Sequence, residues 1–160
     1  MVESLLEILR RNAKESPENM AKMLGVELSQ VESAISKLEQ RGIIRGWQAI
    51  INEDLVPQEH VTAVIEVRVT PEREGGFNRV AERVAKFDEV EAVYLMSGGY
   101  DLLLFVCGKN LLEVARFVSE KLSTIHGVLS TATHFRLKTY KQNGVLMAKP
   151  RDEERLVVSP

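Results

Sequence analysis

The chain has 160 residues, room for one ordinary domain or two small ones at about 150 residues per domain, which argues against a single large enzyme fold. Its 21 basic and 23 acidic residues leave a net charge of −2, so no global positive field draws it to nucleic acid or membrane, and any DNA-binding surface is local. A hydrophobic content of 44% with 28% charged residues excludes wholesale disorder, and the single Cys107 excludes an intramolecular disulfide framework and a cysteine-rich zinc site.

The start Met1-Val2-Glu3 has no basic region followed by an apolar run. No uncharged apolar stretch approaches the roughly 18 residues of a membrane span. A cytoplasmic protein with no membrane partner is the expectation. From Leu5 to Ile44 apolar residues recur at helical spacing. Val2, Leu5, Leu6, Leu9 and Ala13 form one face of a first helix. Ser16 as N-cap and Pro17 at the first helical position open a second, with Met20, Ala21, Met23 and Leu24 apolar. Gly25 supplies the positive φ that stops it, and Ser29-Gln-Val-Glu32 reads as a capping box for a third helix packing through Val31, Ile35 and Leu38. Gly42 ends that helix, and an extended stretch through Trp47 to Ile51 follows as a trailing strand. Residues 1–51 thus have a winged helix-turn-helix outline.

Residues 52–60, polar and containing Pro57, read as a linker. Val61, Ala63, Ile65, Val67 and Val69 alternate as a strand with one strongly buried face. After a loop at Thr70–Gly76, Phe77, Val80, Ala81, Val84 and Ala85 form an amphipathic helix. Val90–Met96 and Leu102–Cys107 are strands joined by the glycine turn Ser97-Gly98-Gly99-Tyr100-Asp101. Leu111, Leu112, Ala115, Val118 and Leu122 mark a second helix, and Val128–Tyr140 a long fourth strand. That strand shows Leu129, Thr131, Thr133, Phe135 and Leu137 on one side and Val128, Ser130, Ala132, His134 and Arg136 on the other. The class is α+β, with a ferredoxin-like βαββαβ domain over 61–147 and a mobile tail over 148–160. Two helices cover only one face of such a sheet, so another subunit is expected on the second.

The run Leu38-Glu-Gln-Arg-Gly-Ile-Ile-Arg-Gly-Trp47, followed by a βαββαβ unit containing Gly98-Gly-Tyr-Asp-Leu-Leu-Leu104, resembles the leucine-responsive regulator/AsnC family of prokaryotic transcription factors. The resemblance runs from about Ser4 to about Leu146, and the two signatures stand in the family's order and separation. It implies a DNA-binding N-terminal domain and an ACT-like effector domain. It also implies dimers packed through their sheets, often assembled into octameric rings, and a small-molecule effector, commonly an amino acid, bound between subunits near the glycine turn.

Carried onto this sequence, the resemblance places Ser29, Gln30, Ser33 and Ser36 toward base edges of double-stranded DNA and Lys37, Arg41 and Arg45 toward phosphates. The outward positions of the third helix, Gln30, Ser33, Ala34, Ser36 and Lys37, hold no arginine, and Glu32 adds negative charge. Residues 1–52 balance seven basic (Arg10, Arg11, Lys14, Lys22, Lys37, Arg41, Arg45) against seven acidic (Glu3, Glu7, Glu15, Glu18, Glu27, Glu32, Glu39), which lowers the expected non-specific affinity. For the effector, Ser97, Gly98, Gly99, Tyr100 and Asp101 match the family's turn, with Asp101 suited to an ammonium group. Ser130 and Thr131 offer hydroxyls to a carboxylate from the opposing wall. The alternative for the turn is structural, with Asp101 bonded to backbone and Tyr100 packed at a dimer seam.

His60, His126 and His134 are too far apart for a metal pattern, and no phosphate-binding loop is present, so neither metal, cofactor nor enzyme activity is expected. Two other readings stay open. One is an effector-binding interaction module without DNA binding; the other is a siroheme decarboxylase-like enzyme, a class built on the same two-domain frame.

Overall fold

The computed structural model describes residues 1–57, 60–71 and 75–147. The expected tail at 148–160 lies outside the described residues, as do parts of the expected linker (58–59) and of the loop after the first strand (72–74). The chain divides into two compact units, Met1–Ile50 and the residues from Ile51 onward. No helix among the described residues is long and apolar enough to cross a membrane.

The first unit holds α1 (Val2–Arg11), α2 (Pro17–Leu24) and α3 (Leu28–Gln40). Their apolar stripes meet in a core of Leu5, Leu9, Met20, Ala21, Val31, Ala34 and Leu38. Ser16 caps α2, its hydroxyl accepting from the Asn19 N–H at 3.2 Å, and Gly25 closes it in the left-handed region at φ +65°. The third helix starts earlier than its Ser29–Glu32 spacing suggests. The N-cap is Glu27, whose N–H donates to the Gln30 side-chain oxygen at 3.1 Å. Both i, i+3 pairs fit a capping box, and Leu28 already lies within the helix. Ala34, expected outward, is instead buried in the core shared with α1 and α2. The stretch after Gly42 forms no paired strand, because nothing within its own unit offers it a ladder partner.

The second unit is built on a four-stranded antiparallel sheet. Its strands β1 (Val61–Val69), β2 (Val90–Leu95), β3 (Leu102–Gly108) and β4 (Val128–Phe135) lie in the order β2-β3-β1-β4. Two helices, α4 (Gly76–Val84) and α5 (Leu111–Arg116), the latter continued by a π-helical turn at Phe117–Leu122, belong to the same unit. The shared core takes Ala63, Ile65, Val67 and Val69 from β1, Leu102, Leu104 and Val106 from β3, Val80 and Val84 from α4, and Val114, Phe117 and Leu122 from the α5 segment. The α5 face differs from the expected one, since Leu111, Leu112 and Ala115 are exposed and Val114 and Phe117 point inward. The wider π turn sets the spacing from Phe117 to Leu122 at five residues and rotates the buried stripe.

β4 ends at Phe135 rather than at Tyr140. Leu137 is 94% exposed, and a short hairpin, β5 (Lys141–Gln142) with β6 (Val145–Leu146), takes up the chain that follows. The two faces of β4 also differ from strict alternation. The β1–β4 register passes from Arg68 opposite Ser130 to Val69 opposite Val128, leaving Leu129 as the bulged residue. Val128 then packs on the helix side with Thr131, Thr133 and Phe135, while Leu129 is 64% exposed.

Truncating Leu104, fully buried on the central β3, should cost about 2–5 kcal/mol in urea unfolding. A second, smaller effect comes from Lys121, which donates to the Glu89 carboxylate and lies over the Phe87 ring at 5.6 Å. The Lys121 hydrogen bond lowers the Glu89 pKa against a smaller opposing contribution from burial. A depressed carboxylate pKa stabilises the fold above its unfolded value and loses that contribution as pH falls through the folded value. Lys121→Ala should therefore reduce stability at neutral pH by up to about 1 kcal/mol, with the difference from wild type shrinking in acid.

Candidate nucleic-acid interface and effector turn

The outer face of α3 is polar along its length. Ser29, Gln30, Ser33, Ser36 and Lys37 are exposed, with Arg41 at the C-cap and Arg45 just beyond. Gln40 belongs to the same arc, seven residues after Ser33, and its side-chain N–H donates to the Ser36 hydroxyl at 3.3 Å. Helical periodicity reveals that position, although Gln40 lies outside the set expected from sequence. Gln30 arrives partly committed, its oxygen holding the Glu27 N–H, so its NH₂ group is what it presents to a base. The two acids of the helix body, Glu32 and Glu39, lie seven residues apart along the edge of this arc next to Ser29 and Ser36. Glu39 accepts from the Trp47 indole N–H at 3.2 Å. On α3 the charges thus take opposite edges of the arc, with Lys37 and Arg41 on one and the two acids on the other.

Between this arc and the start of α1 runs a groove of about 530 Å³, lined by Met1, Val2, Ser29, Gln30, Ser33, Ala34, Lys37, Leu38 and Arg41. No carboxylate lines it, so an anionic group entering it would meet only cations, hydroxyls, one amide and apolar surface.

In the second unit, the segment after β2 turns through Ser97, Gly98 and Gly99, all exposed, to a half-buried Tyr100 and Asp101. Gly98 has φ +114°, and a Cβ on either glycine would meet no atom within 4 Å, so the outer side of the turn is open. The turn is closed by the Met96 N–H donating to the Asp101 carbonyl at 2.8 Å. Asp101 is bonded to backbone twice more: its N–H donates to the Val67 carbonyl at 3.0 Å, and its carboxylate accepts the Val69 N–H at 2.8 Å. On its other side the end of β1 meets the start of β4, where the Thr70 N–H donates to the Gly127 carbonyl at 2.7 Å.

The turn and the first residues of β4 therefore flank one strand end. Ser130 and Thr131 do not share a wall: Thr131 lies on the helix side opposite Val67, and Ser130 lies on the bare face opposite Arg68. The bulged Leu129, invisible to alternation, stands between them and Val128.

The face of the sheet turned away from the helices carries Val64, Leu103, Phe105, Ala92, Tyr94 and Ala132 as its apolar residues, by the pairing of Val64 with Phe105 and Glu66 with Leu103 and Ala132. Tyr94 and Phe105 meet edge to face at 6.0 Å between ring centroids. One polar pair lies among them, with His134 Nε2 3.5 Å from the Glu66 carboxylate. At the rim Arg136 donates to the Thr62 hydroxyl at 3.0 Å, and burial raises the Cys107 thiol pKa, with nearby Glu91 adding to the shift. Among the described residues no group of three or more histidine, cysteine, aspartate or glutamate side chains is arranged to hold a metal.

Comparison with known proteins agrees with both halves of this description. The family model described as winged helix-turn-helix DNA-binding matches residues 3–45, and that of the Lrp/AsnC ligand binding domain matches residues 62–146. The chain is 48% identical over 157 residues to the HTH-type transcriptional regulator YugG of Bacillus subtilis, covering 98% of this chain and 95% of that protein. Among solved structures, a transcriptional regulator of Neisseria meningitidis in complex with L-methionine superposes with a TM-score of 0.66 at 24% identity, covering 86% of this chain and 88% of that one. The feast or famine regulatory protein of M. tuberculosis complexed with L-methionine gives 0.68 at 22% identity, covering 90% and 95%. With a winged helix-turn-helix before a ligand binding domain of the Lrp/AsnC type, and a relative of nearly equal length at 48% identity, this chain belongs to the Lrp/AsnC family of DNA-binding transcriptional regulators.

Proposed function

We propose that the chain is a sequence-specific regulator that places α3 in the major groove of double-stranded DNA, works as a homodimer through its bare sheet face, and responds to an amino acid at the turn 97–101. The observation that carries the DNA part is the polar outer arc of α3, with Lys37 and Arg41 along one edge, Glu32 and Glu39 along the other, and no carboxylate lining the groove beside the cations. Ser29, Ser33, Ser36 and the Gln30 and Gln40 amides are the groups for base edges, and Lys37, Arg41 and Arg45 are the groups for phosphates. With three such cations per recognition unit, affinity rests on pairing two units on one scaffold, which links two weak half-site contacts. A regulator of this kind acts where the DNA is, in the cytoplasm of a prokaryotic cell.

The effector part is supported by the open outer side of the Gly98-Gly99 turn and by the L-methionine complexes of the two structural neighbours. Binding alters regulation only if one arrangement of the subunits takes the ligand more tightly than another. The siting of the turn at a strand end beside the bare face suits that requirement.

Titration of a fluorescent fragment from the protein's own promoter region should give saturable binding that weakens with salt. Lys37→Ala should weaken it on all sequences alike and reduce the slope of log affinity against log salt by about 1 for each recognition unit engaged. Ser33→Ala should change the preference among operator variants while leaving the salt slope intact. Failure of the wild type to bind any genomic fragment would instead favour an effector-binding interaction module.

A further inference from the structure

Asp101 follows the exposed turn and precedes β3, and every polar bond described for it is directed at backbone. Its N–H and carboxylate reach two residues of β1, Val67 and Val69, while its carbonyl closes the turn onto Met96. The carboxylate bond falls where regular pairing stops. The β1–β3 ladder ends with Val67 opposite Leu102, and the β1–β4 register shifts between Arg68 and Val69. At such a break an N–H drops out of step with the ladder, and a side-chain acceptor can take the place of a strand carbonyl. On the far side of the same strand end, the Thr70 N–H holds the Gly127 carbonyl. One carboxylate therefore fixes the glycine turn to the strand that also carries the start of β4.

We propose that Asp101 is a positioning residue of the effector site: its carboxylate locks the turn to the end of β1 and does not itself meet the effector's ammonium group. The inference rests on the reading that this turn takes an amino acid. It assigns Asp101 a different part in that site from the one its charge alone suggests. The carboxylate is half-buried and turned onto β1, whereas Ser97, Gly98 and Gly99 face solvent. What the lock supplies is register, since the turn and the start of β4 can close on one ligand only while both stay fixed to β1.

An acceptor atom is all the lock needs, and a negative charge is what an ammonium ligand needs, so Asp101→Asn separates the two roles. The asparagine side-chain oxygen can still accept from the Val69 N–H, whereas Asp101→Ala removes the acceptor. Two measurements are made on the full chain and on each variant. The first, hydrogen exchange at the Val69 amide, needs no effector: protection should persist in the asparagine variant and fall at least tenfold in the alanine variant. The second is thermal-shift screening against the twenty standard amino acids, L-methionine among them, followed by calorimetric affinity for any hit. The asparagine variant should bind within about threefold of wild type and the alanine variant at least tenfold more weakly.

Val84→Ala, which opens the core beneath α4, should lower the melting temperature while leaving affinity unchanged, so lost stability alone does not mimic the result. An asparagine variant that keeps Val69 protected yet binds as weakly as alanine would overturn the proposal and make the carboxylate the ammonium ligand. Equal protection of Val69 in all three proteins would overturn it from the other side. If no amino acid shifts the wild type while the exchange pattern holds, the amino-acid reading of the turn fails, and the positioning role in that site fails with it; the strand lock itself stands.

Discussion

A four-stranded sheet served by two helices has one face they do not cover, and the chemistry of that second face governs how the molecule can work. Val64, Leu103, Phe105 and Ala132 form a largely apolar surface there, with Tyr94 packed edge-on against Phe105. A second copy of the same surface, related by a two-fold axis, would cover it. The partly exposed Glu66–His134 pair in its midst would give such packing a register, because a carboxylate that becomes buried needs its partner beside it. Two copies joined in this way carry two helix-turn-helix units, which is what a DNA reader with few cations on its recognition helix requires.

The same sheet organises the glycine turn proposed to take the effector. β1 lies between β3 and β4, and its end at Val67–Thr70 is held on one side by Asp101 and on the other by Gly127. The glycine turn is thus tied to β1, whose alternate residues Val64 and Glu66 lie on the bare face. If the turn takes the effector and the bare face pairs two copies, β1 and its two hydrogen-bonded ends would connect the two sites.

Local signals in the sequence foretell local structure well. Ser16 with Pro17 and the positive φ at Gly25 stand where the cap rules put them, and the alternation of Ala63, Ile65, Val67 and Val69 marks the buried face of β1. The differences arise where two patterns compete or where a non-local feature intervenes. Glu27 with Gln30 and Ser29 with Glu32 have the same spacing, and only the start of the helix at Leu28 separates them. The π turn after Arg116 and the bulge at Leu129 each insert a residue into a regular period and rotate everything on one side of it. Ser130 and Thr131 are adjacent in sequence, and the alternation of β4 puts them on opposite faces. Of the effector turn, residue identity was legible, whereas the bonding of the Asp101 carboxylate depends on Val69, 32 residues away in sequence.

The proposed DNA and effector roles both depend on the bare sheet face being a contact between two copies of this chain. Sedimentation equilibrium of the full chain at low micromolar concentration tests this most directly, with Phe105→Glu alongside to place a charge in the middle of the apolar surface. A wild-type mass of twice 18.0 kDa or a multiple of it, falling to the single-chain mass in a variant that keeps its folded circular-dichroism spectrum, is the predicted result. A wild type that sediments as a monomer, or a folded Phe105→Glu variant with unchanged mass, would contradict it.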